Sequence, residues 1–145
     1  MTTTTDAIAV ALDAENAAIF TYGVVAAHAA AVRDQMISEY TAEHRAQRTE
    51  LEAALTVAQA AVPAAAAGYN LPVPVTDPVS ALTVALAVEE DCAIAYRSVI
   101  EQAADPEGRR LGLRGLTASA VRAAQWRVVL RISPATVALP GGDAA

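Results

Sequence analysis

The stretch Val10-Ala-Leu-x-x-Glu15-x6-Tyr22-x-x-Val25 returns 74 positions later as Val84-Ala-Leu-x-x-Glu89-x6-Tyr96-x-x-Val99. Six of the sixteen positions are identical, and two of the identities, the glutamate and the tyrosine, are polar residues on an otherwise apolar helical stripe. A charge on a buried stripe costs free energy unless something inside the fold neutralises or uses it. The repeat therefore indicates a polar core site built by duplication or functional convergence, and chance similarity between alanine-rich helices is the alternative.

Four long helices are predicted around this repeat, at about residues 6–30, 34–60, 78–104 and 106–132. Apolar side chains at alternating spacings of three and four residues are typical of one face of a helix in a bundle. Asp77-Pro78 and Asp105-Pro106 each combine an N-cap with a proline at the first helical position. The whole chain, 1–145, is predicted to be one domain, and 133–145 a C-terminal tail.

The fourth helix has the least regular pattern. Its predicted core face consists of Leu111, Gly115, Ala118, Arg122, Gln125, Val129 and Ile132. Gly108, Gly112 and Gly115 each cost about 1 kcal/mol in a helix relative to alanine. They are understandable if another element approaches closely or if the helix begins irregularly.

The connections between the helices predict the topology. Helices one and two, and helices three and four, are joined by few residues, so each pair should be an antiparallel hairpin. The segment 62–76 between the pairs contains three prolines. Fifteen extended residues can reach ~50 Å, whereas a helix of ~26 residues is ~39 Å long. We therefore expect an all-α four-helix bundle in which this crossover runs the full length and brings Glu15 and Glu89 face to face.

Composition excludes several classes of function. All ten basic residues are arginine, against sixteen acids and a net charge of -6, which argues against binding a phosphate backbone. The single cysteine, Cys92, cannot form an internal disulfide, and this favours a reducing compartment. The N-terminus lacks the basic region and continuous apolar core of a signal peptide. We expect a cytoplasmic protein with neither a nucleic-acid nor a membrane partner.

The two repeated glutamates match half of a known ligand pattern. Di-iron carboxylate bundles use one glutamate from each of two helices and Glu-x-x-His from each of the other two. Glu15 and Glu89 match the single glutamates and His44 matches one histidine, but Thr41 stands where the first motif requires glutamate. On the fourth helix the motif aligns with Arg122-x-x-Gln125. Two carboxylates can balance one divalent ion but not two, so a dinuclear site is not predicted.

Two interpretations of the site remain open. In the first, no cofactor is bound and the planar Arg122 guanidinium, or else Arg48, neutralises the two buried glutamates. In the second, a single iron, manganese or zinc ion is held by Glu15, His44 and Glu89. Cys92 is expected to be a buried inert thiol, and Trp126 a packing anchor or interface residue. The predicted buried network comprises Glu15, Tyr22, His44, Glu89, Tyr96, Arg122 and Gln125.

Several of these segments resemble one family. They are Glu15-x6-Tyr22, Ala42-Glu-His44-Arg45-x-x-Arg48, Ala67-Gly-Tyr69-Asn-Leu71-Pro72-Val-Pro74-Val-Thr-Asp77 and Glu89-Glu90. Over nearly the whole chain the sequence resembles an alanine-rich ferritin-like family of unknown function from high-GC actinobacteria. The resemblance implies a ferritin-like four-helix bundle and implies no activity. Ferritins proper would imply iron oxidation, but this sequence departs from their ligand set at Thr41, Arg122 and Gln125.

The combined expectation is a non-enzymatic ferritin-like bundle with a degenerate metal site. A homo-oligomer is expected, with a dimer favoured, together with an unknown protein or small-molecule partner. The alternative is a mononuclear metal-binding or oxidase-like protein of the same fold.

Overall fold

The computed structural model describes residues 2–142. It contains helices α1 (Thr4–His28), α2 (Asp34–Val57), α3 (Pro78–Gln102) and α4 (Pro106–Val129), with one 3-10 turn at Ala31–Arg33 between α1 and α2. The described residues include no strand, so the fold is all-α. Each helix ends two or three residues before its predicted end.

Side-chain caps fix where three of the helices begin. Thr3 and Asp6 form a capping box at the start of α1, which is why this helix begins two residues earlier than predicted. Asp77 forms a second capping box ahead of α3, and Asp105 Oδ1 accepts a hydrogen bond of 2.8 Å from the Gly108 amide of α4. These caps satisfy amide groups that have no partner within the helix.

The four helices form a bundle whose neighbours run antiparallel. α1 packs against α2 and α3, and α3 packs against α4. The Thr4 hydroxyl, at the start of α1, donates to the Gln102 carbonyl at the end of α3 over 2.6 Å, so these two helices run in opposite directions. α2 and α4 are joined by side chains that reach across the gap, including Arg114 and Glu50 at 3.3 Å. α2 and α3 are therefore parallel, as the long crossover requires.

The crossover, predicted at 62–76, spans residues 58–77, and its second half lies against the outside of α1 and α3. The Tyr69 hydroxyl donates to Asp13 Oδ1 over 2.9 Å, and the Tyr69 ring packs on Phe20 with centroids 5.9 Å apart. Leu71 and Val75 pack against the core. The crossover is thus attached along its second half and is not a loose linker.

α1 is the most apolar helix of the chain. By length and composition it could span a membrane, although 50% of its most apolar window is buried inside the bundle. Its buried face includes Glu15, Asn16 and Tyr22. Glu15 and Tyr22 have hydrogen-bond partners inside the bundle, as expected for a core helix.

Two glycines set the orientation of α4. A Cβ atom on Gly115 would lie 2.2 Å from the Tyr96 ring, and one on Gly112 would lie 2.7 Å from the Ile100 side chain. Glycine at these positions lets α4 lie directly on α3, and this close approach explains its cost in a helix. The predicted core face of α4 was partly wrong because this contact turns the helix. The buried residues are Leu111, Gly112, Gly115, Ser119, Arg122, Ala123, Trp126 and Arg127.

The segment after α4 folds back onto the bundle. Two residues after the end of α4, Arg131 lies in the left-handed region at φ 58°, and the Ile132 amide donates to the Arg127 carbonyl over 2.8 Å. Gly141, at φ 72°, lies so close to α3 that a Cβ would be 2.4 Å from the Ala93 carbonyl oxygen. The predicted tail therefore lies against α3 at Gly141 and Gly142, and 143–145 lie outside the described residues.

Candidate functional site

The two copies of the repeated element bind each other in the bundle core. The Tyr22 hydroxyl donates to Glu89 Oε1 over 2.6 Å, and the Tyr96 hydroxyl donates to Glu15 Oε1 over 2.6 Å. Each tyrosine thus contacts the glutamate of the other copy, as antiparallel α1 and α3 related by a twofold axis would require. Both glutamates are fully buried.

His44 of α2 lies between the two glutamates. Its Nδ1 is 2.6 Å from Glu15 Oε2 and its Nε2 is 3.0 Å from Glu89 Oε1. When both carboxylates are ionised, a ring that faces a carboxylate oxygen with each nitrogen donates with both and is an imidazolium. Burial alone would lower the pKa of His44, but the hydrogen bonds and charges of Glu15 and Glu89 raise it to about 9. We therefore expect His44 to be positively charged at neutral pH.

Arg122 of α4 is the second buried cation, with only 2% of its side chain exposed. Its Nε lies 2.9 Å and 3.0 Å from the two oxygens of Glu89. Its Nη1 donates to Glu43 over 2.9 Å and its Nη2 to Gln47 over 3.2 Å, both on α2. Burial would raise the pKa of Glu89, but His44 and Arg122 together lower it below its ordinary value.

Arg122 does not neutralise both glutamates, although the metal-free interpretation expected it to. Of the two glutamates, Arg122 contacts only Glu89, since the rest of its guanidinium is directed toward Glu43 and Gln47 across the gap between α4 and α2. The bridge is His44, which the sequence had suggested only as a hydrogen-bond partner or a metal ligand.

Gln125 does not belong to the buried network, contrary to prediction. It is exposed, and its side-chain oxygen accepts a hydrogen bond from the Tyr40 hydroxyl. Because α4 is turned by its glycine contacts with α3, the pair that faces the core is Ser119-x-x-Arg122. The other six predicted network residues lie in one hydrogen-bonded cluster.

Trp126 is a network member that sequence reasoning treated only as an apolar group. It is fully buried, and its indole Nε1 donates to the Tyr22 hydroxyl over 2.8 Å. The signal available in the sequence was its position one turn after Arg122, on the same face of α4. Tyr22 therefore both donates and accepts, which links α4 to α1.

The buried charges of the site balance. Glu15 and Glu89 contribute two negative charges, and His44 and Arg122 two positive ones, while the Glu43 side chain is 54% exposed to solvent. Burying ions costs several kcal/mol each, which is recovered only when they are well paired and hydrogen-bonded. The network meets this condition with protein groups alone.

The donor set does not fit a di-iron centre. Such a centre needs two further glutamates and a second histidine, whereas α2 has Thr41 and α4 presents Ser119 and Arg122 to the core. A guanidinium cannot lose its proton to ligate a metal. The charge needed to hold two iron ions is therefore missing.

A single metal ion has a better geometric basis. The ligand atoms of Glu15, His44 and Cys92 lie within 4.8 Å of one another, so the thiol stands beside the site. Burial, together with the charges of Glu15 and Glu89, raises the pKa of Cys92 well above its ordinary value and keeps it as a thiol. Of the mononuclear set predicted from sequence, Glu15, His44 and Glu89 are adjacent, but both nitrogens of His44 are already directed at carboxylates.

Comparison with known proteins agrees with this fold. The family model described as "Domain of unknown function (DUF4439)" matches residues 7–144. A crystal structure of a conserved hypothetical protein, rv2844, from Mycobacterium tuberculosis is 35% identical, with a TM-score of 0.83 over 86% of this chain and 94% of that chain. A structure of ferritin like, diiron-carboxylate proteins from Bacillus anthracis str. Ames has a TM-score of 0.73 at 15% identity, over 88% and 94% of the two chains. No curated protein matches the sequence.

The second of these structures shows likeness of fold alone, because the sequence identity is low. Together with the family match, it confirms the predicted ferritin-like four-helix bundle and the resemblance to an uncharacterised ferritin-like family.

Proposed function

This chain belongs to the DUF4439 family and has a ferritin-like fold, and we propose that a buried ion-pair network has taken the place of the di-iron centre, leaving a non-catalytic bundle. The proposal rests on one observation: the His44 ring lies between Glu15 and Glu89, at 2.6 Å and 3.0 Å. An imidazolium in this position holds two carboxylates together, as a bridging metal would.

The network connects all four helices. His44 on α2 contacts Glu15 of α1 and Glu89 of α3, and Arg122 on α4 contacts α3 and α2. Trp126 adds the link from α4 to α1. A fully satisfied polar network of this kind favours one relative arrangement of the helices over its alternatives. Its proposed role is to fix the register of a bundle whose alanine-rich faces specify it weakly.

The second candidate function is a mononuclear metalloprotein. It is supported by the close approach of Glu15, His44 and Cys92. A bound divalent ion would have to displace the second His44 proton and the Cys92 proton. Both protons are held by the site, which is why we favour the metal-free interpretation.

Metal content distinguishes the two candidates. We expect protein purified without chelators to contain far less than one iron, manganese or zinc ion per chain, because the buried charges are already balanced. Elemental analysis of the wild-type chain measures this directly, with Cys92→Ala and Glu15→Ala as comparison variants. Near-stoichiometric metal in the wild type that is absent from Glu15→Ala would overturn the proposal. Its absence from Cys92→Ala as well would identify the mononuclear site.

The remaining expectations stay predictions. They are a homodimer, a cytoplasmic location, and a protein or small-molecule partner still to be identified.

A further inference from the structure

The C-terminal segment bridges the groove between α3 and α4 and is attached at both ends. At one end Arg127 Nη1 donates to the Ala135 carbonyl over 3.4 Å. At the other end Gly141 lies directly on the α3 backbone. A Cβ atom added to Gly141 would be 2.4 Å from the Ala93 carbonyl oxygen. We call residues 135–142 the strap. Attachment at both ends holds the strap over the groove.

A cavity of about 520 Å³ lies beneath the strap. Its walls include the small side chains of Ala93, Ala120 and Ala123, and its roof is residues 137–142. This volume is within the range of pockets that hold small molecules. None of the residues around it belongs to the core network.

Apolar side chains around the cavity remain open to solvent. Ile94 is 55% exposed, Val137 is 47% exposed and Leu139 is 70% exposed. Exposed apolar groups that converge on a cavity are explained if an apolar ligand covers them. The occupant of most of this space should therefore be apolar.

Two charged groups line the cavity, Arg127 and Glu90, and Arg127 is the one that can orient a ligand carboxylate. Arg127 also lines the cavity and is only 8% exposed. Within residues 2–142 its guanidinium has two acceptors, the Ala135 carbonyl and the half-exposed Glu90 carboxylate. A guanidinium offers five N–H donors in a planar fork that matches a carboxylate, so donors remain for a second anion.

We propose that this cavity binds a medium-chain aliphatic monocarboxylate, with its carboxylate on Arg127 and its chain between the three alanines and the strap. The charge complementarity is with Arg127, and the apolar walls fit the alkyl chain. Glu90 lies on the same guanidinium and weakens the binding of a second anion. The site is separate from the core network and does not depend on the function proposed above.

Titration of the full chain with octanoate tests the proposal, with 1-octanol and octylammonium as neutral and cationic probes of the same chain length. Calorimetry should show saturable binding of octanoate at one site, at least tenfold tighter than either other probe. Arg127→Gln should weaken octanoate binding at least tenfold, whereas Arg114→Gln, an exposed arginine of the same helix, should leave it unchanged. Glu90→Gln should strengthen it.

The position of the alkyl chain is tested by filling the cavity. Ala120→Leu should abolish octanoate binding, whereas Val121→Leu, at the exposed neighbouring position, should preserve it. Equal affinity for octanol and octanoate, or unchanged affinity in Arg127→Gln, would refute carboxylate recognition. Binding that survives Ala120→Leu would place the ligand elsewhere, and the absence of saturable binding to the wild-type chain would overturn the proposal outright.

Discussion

Replacing His44 with leucine should lower the free energy of unfolding by about 3–5 kcal/mol. The substitution removes the cation that lies between Glu15 and Glu89, while both carboxylates stay fully buried. Arg122 is then the remaining buried cation for the two carboxylates, and it contacts Glu89 but not Glu15. Glu15 keeps the Tyr96 hydroxyl as its partner but has no counter-ion. Urea unfolding of the wild type and the variant measures the loss.

Two further variants show whether the loss comes from the charges. His28→Leu alters the other histidine of the chain, an exposed residue at the end of α1, and should cost less than about 1 kcal/mol. Adding Glu15→Gln to His44→Leu removes the unpaired charge and should restore part of the stability, as a double-mutant cycle would report. A cost below about 1 kcal/mol for His44→Leu alone would mean that the carboxylates do not depend on the histidine.

Stability should also fall at alkaline pH. The pKa of His44 is about 9 in the folded chain against 6.5 for the free side chain. A raised pKa in the folded state means that the stabilisation is complete below about pH 6.5 and is lost as the pH rises through 9. The difference corresponds to about 3 kcal/mol. Cys92, Tyr22 and Tyr96 act in the same direction at higher pH, because burial raises their pKa values as well.

At acid pH the free energy of unfolding should change in the opposite direction and fall as the pH falls. The pKa of Glu89 is lowered from 4.5 in the folded chain, so its stabilisation is present above that value and is lost as the pH falls further. The free energy of unfolding should therefore be greatest between about pH 5 and 7. Urea unfolding across pH 4–10 tests both limbs, with the Glu15→Gln, His44→Leu double variant as the control that lacks the His44 titration. A flat profile between pH 7 and 9 in the wild type would contradict a charged His44.

Much of the fold could be predicted from local sequence signals. Asp77-Pro78 and Asp105-Pro106 cap helices whose first residues are Pro78 and Pro106. The three prolines and the length of the crossover predicted the connection, because an extended segment of this length can reach from one end of the bundle to the other. The repeat predicted that Glu15 and Glu89 would be near each other. Each of these inferences depends on residues close in sequence or on simple geometry.

The orientation of α4 could not be predicted in the same way. Its apolar residues and glycines surround the helix, and the face that is buried depends on how closely Gly112 and Gly115 approach α3. Because α4 is rotated about its axis relative to the predicted register, Ser119 faces the core where Gln125 was expected. The rotation also decides that Arg122 reaches Glu43 and Gln47 instead of Glu15. Counting charges predicted a counter-ion, but only the three-dimensional arrangement distinguishes histidine from arginine.

Cys92 is a similar case. A single cysteine in a helix carries no ligand spacing, so the sequence favoured an inert thiol. The structure places its sulfur within 4.8 Å of ligand atoms of Glu15 and His44. Its raised pKa still favours the protonated form, which keeps the metal-free interpretation ahead of the mononuclear one.

The charge state of His44 is the most direct test of a network that substitutes for metal. The chain has two histidines, so nitrogen-15 histidine labelling gives a pair of ring-nitrogen signals for each ring, and His44→Gln assigns the pair that belongs to His44. At pH 7 we expect both ring nitrogens of His44 to carry protons and to stay protonated when ferrous iron or zinc is added. A neutral ring at pH 7, or the loss of a ring proton on addition of stoichiometric metal, would contradict the replacement of a metal by an imidazolium bridge.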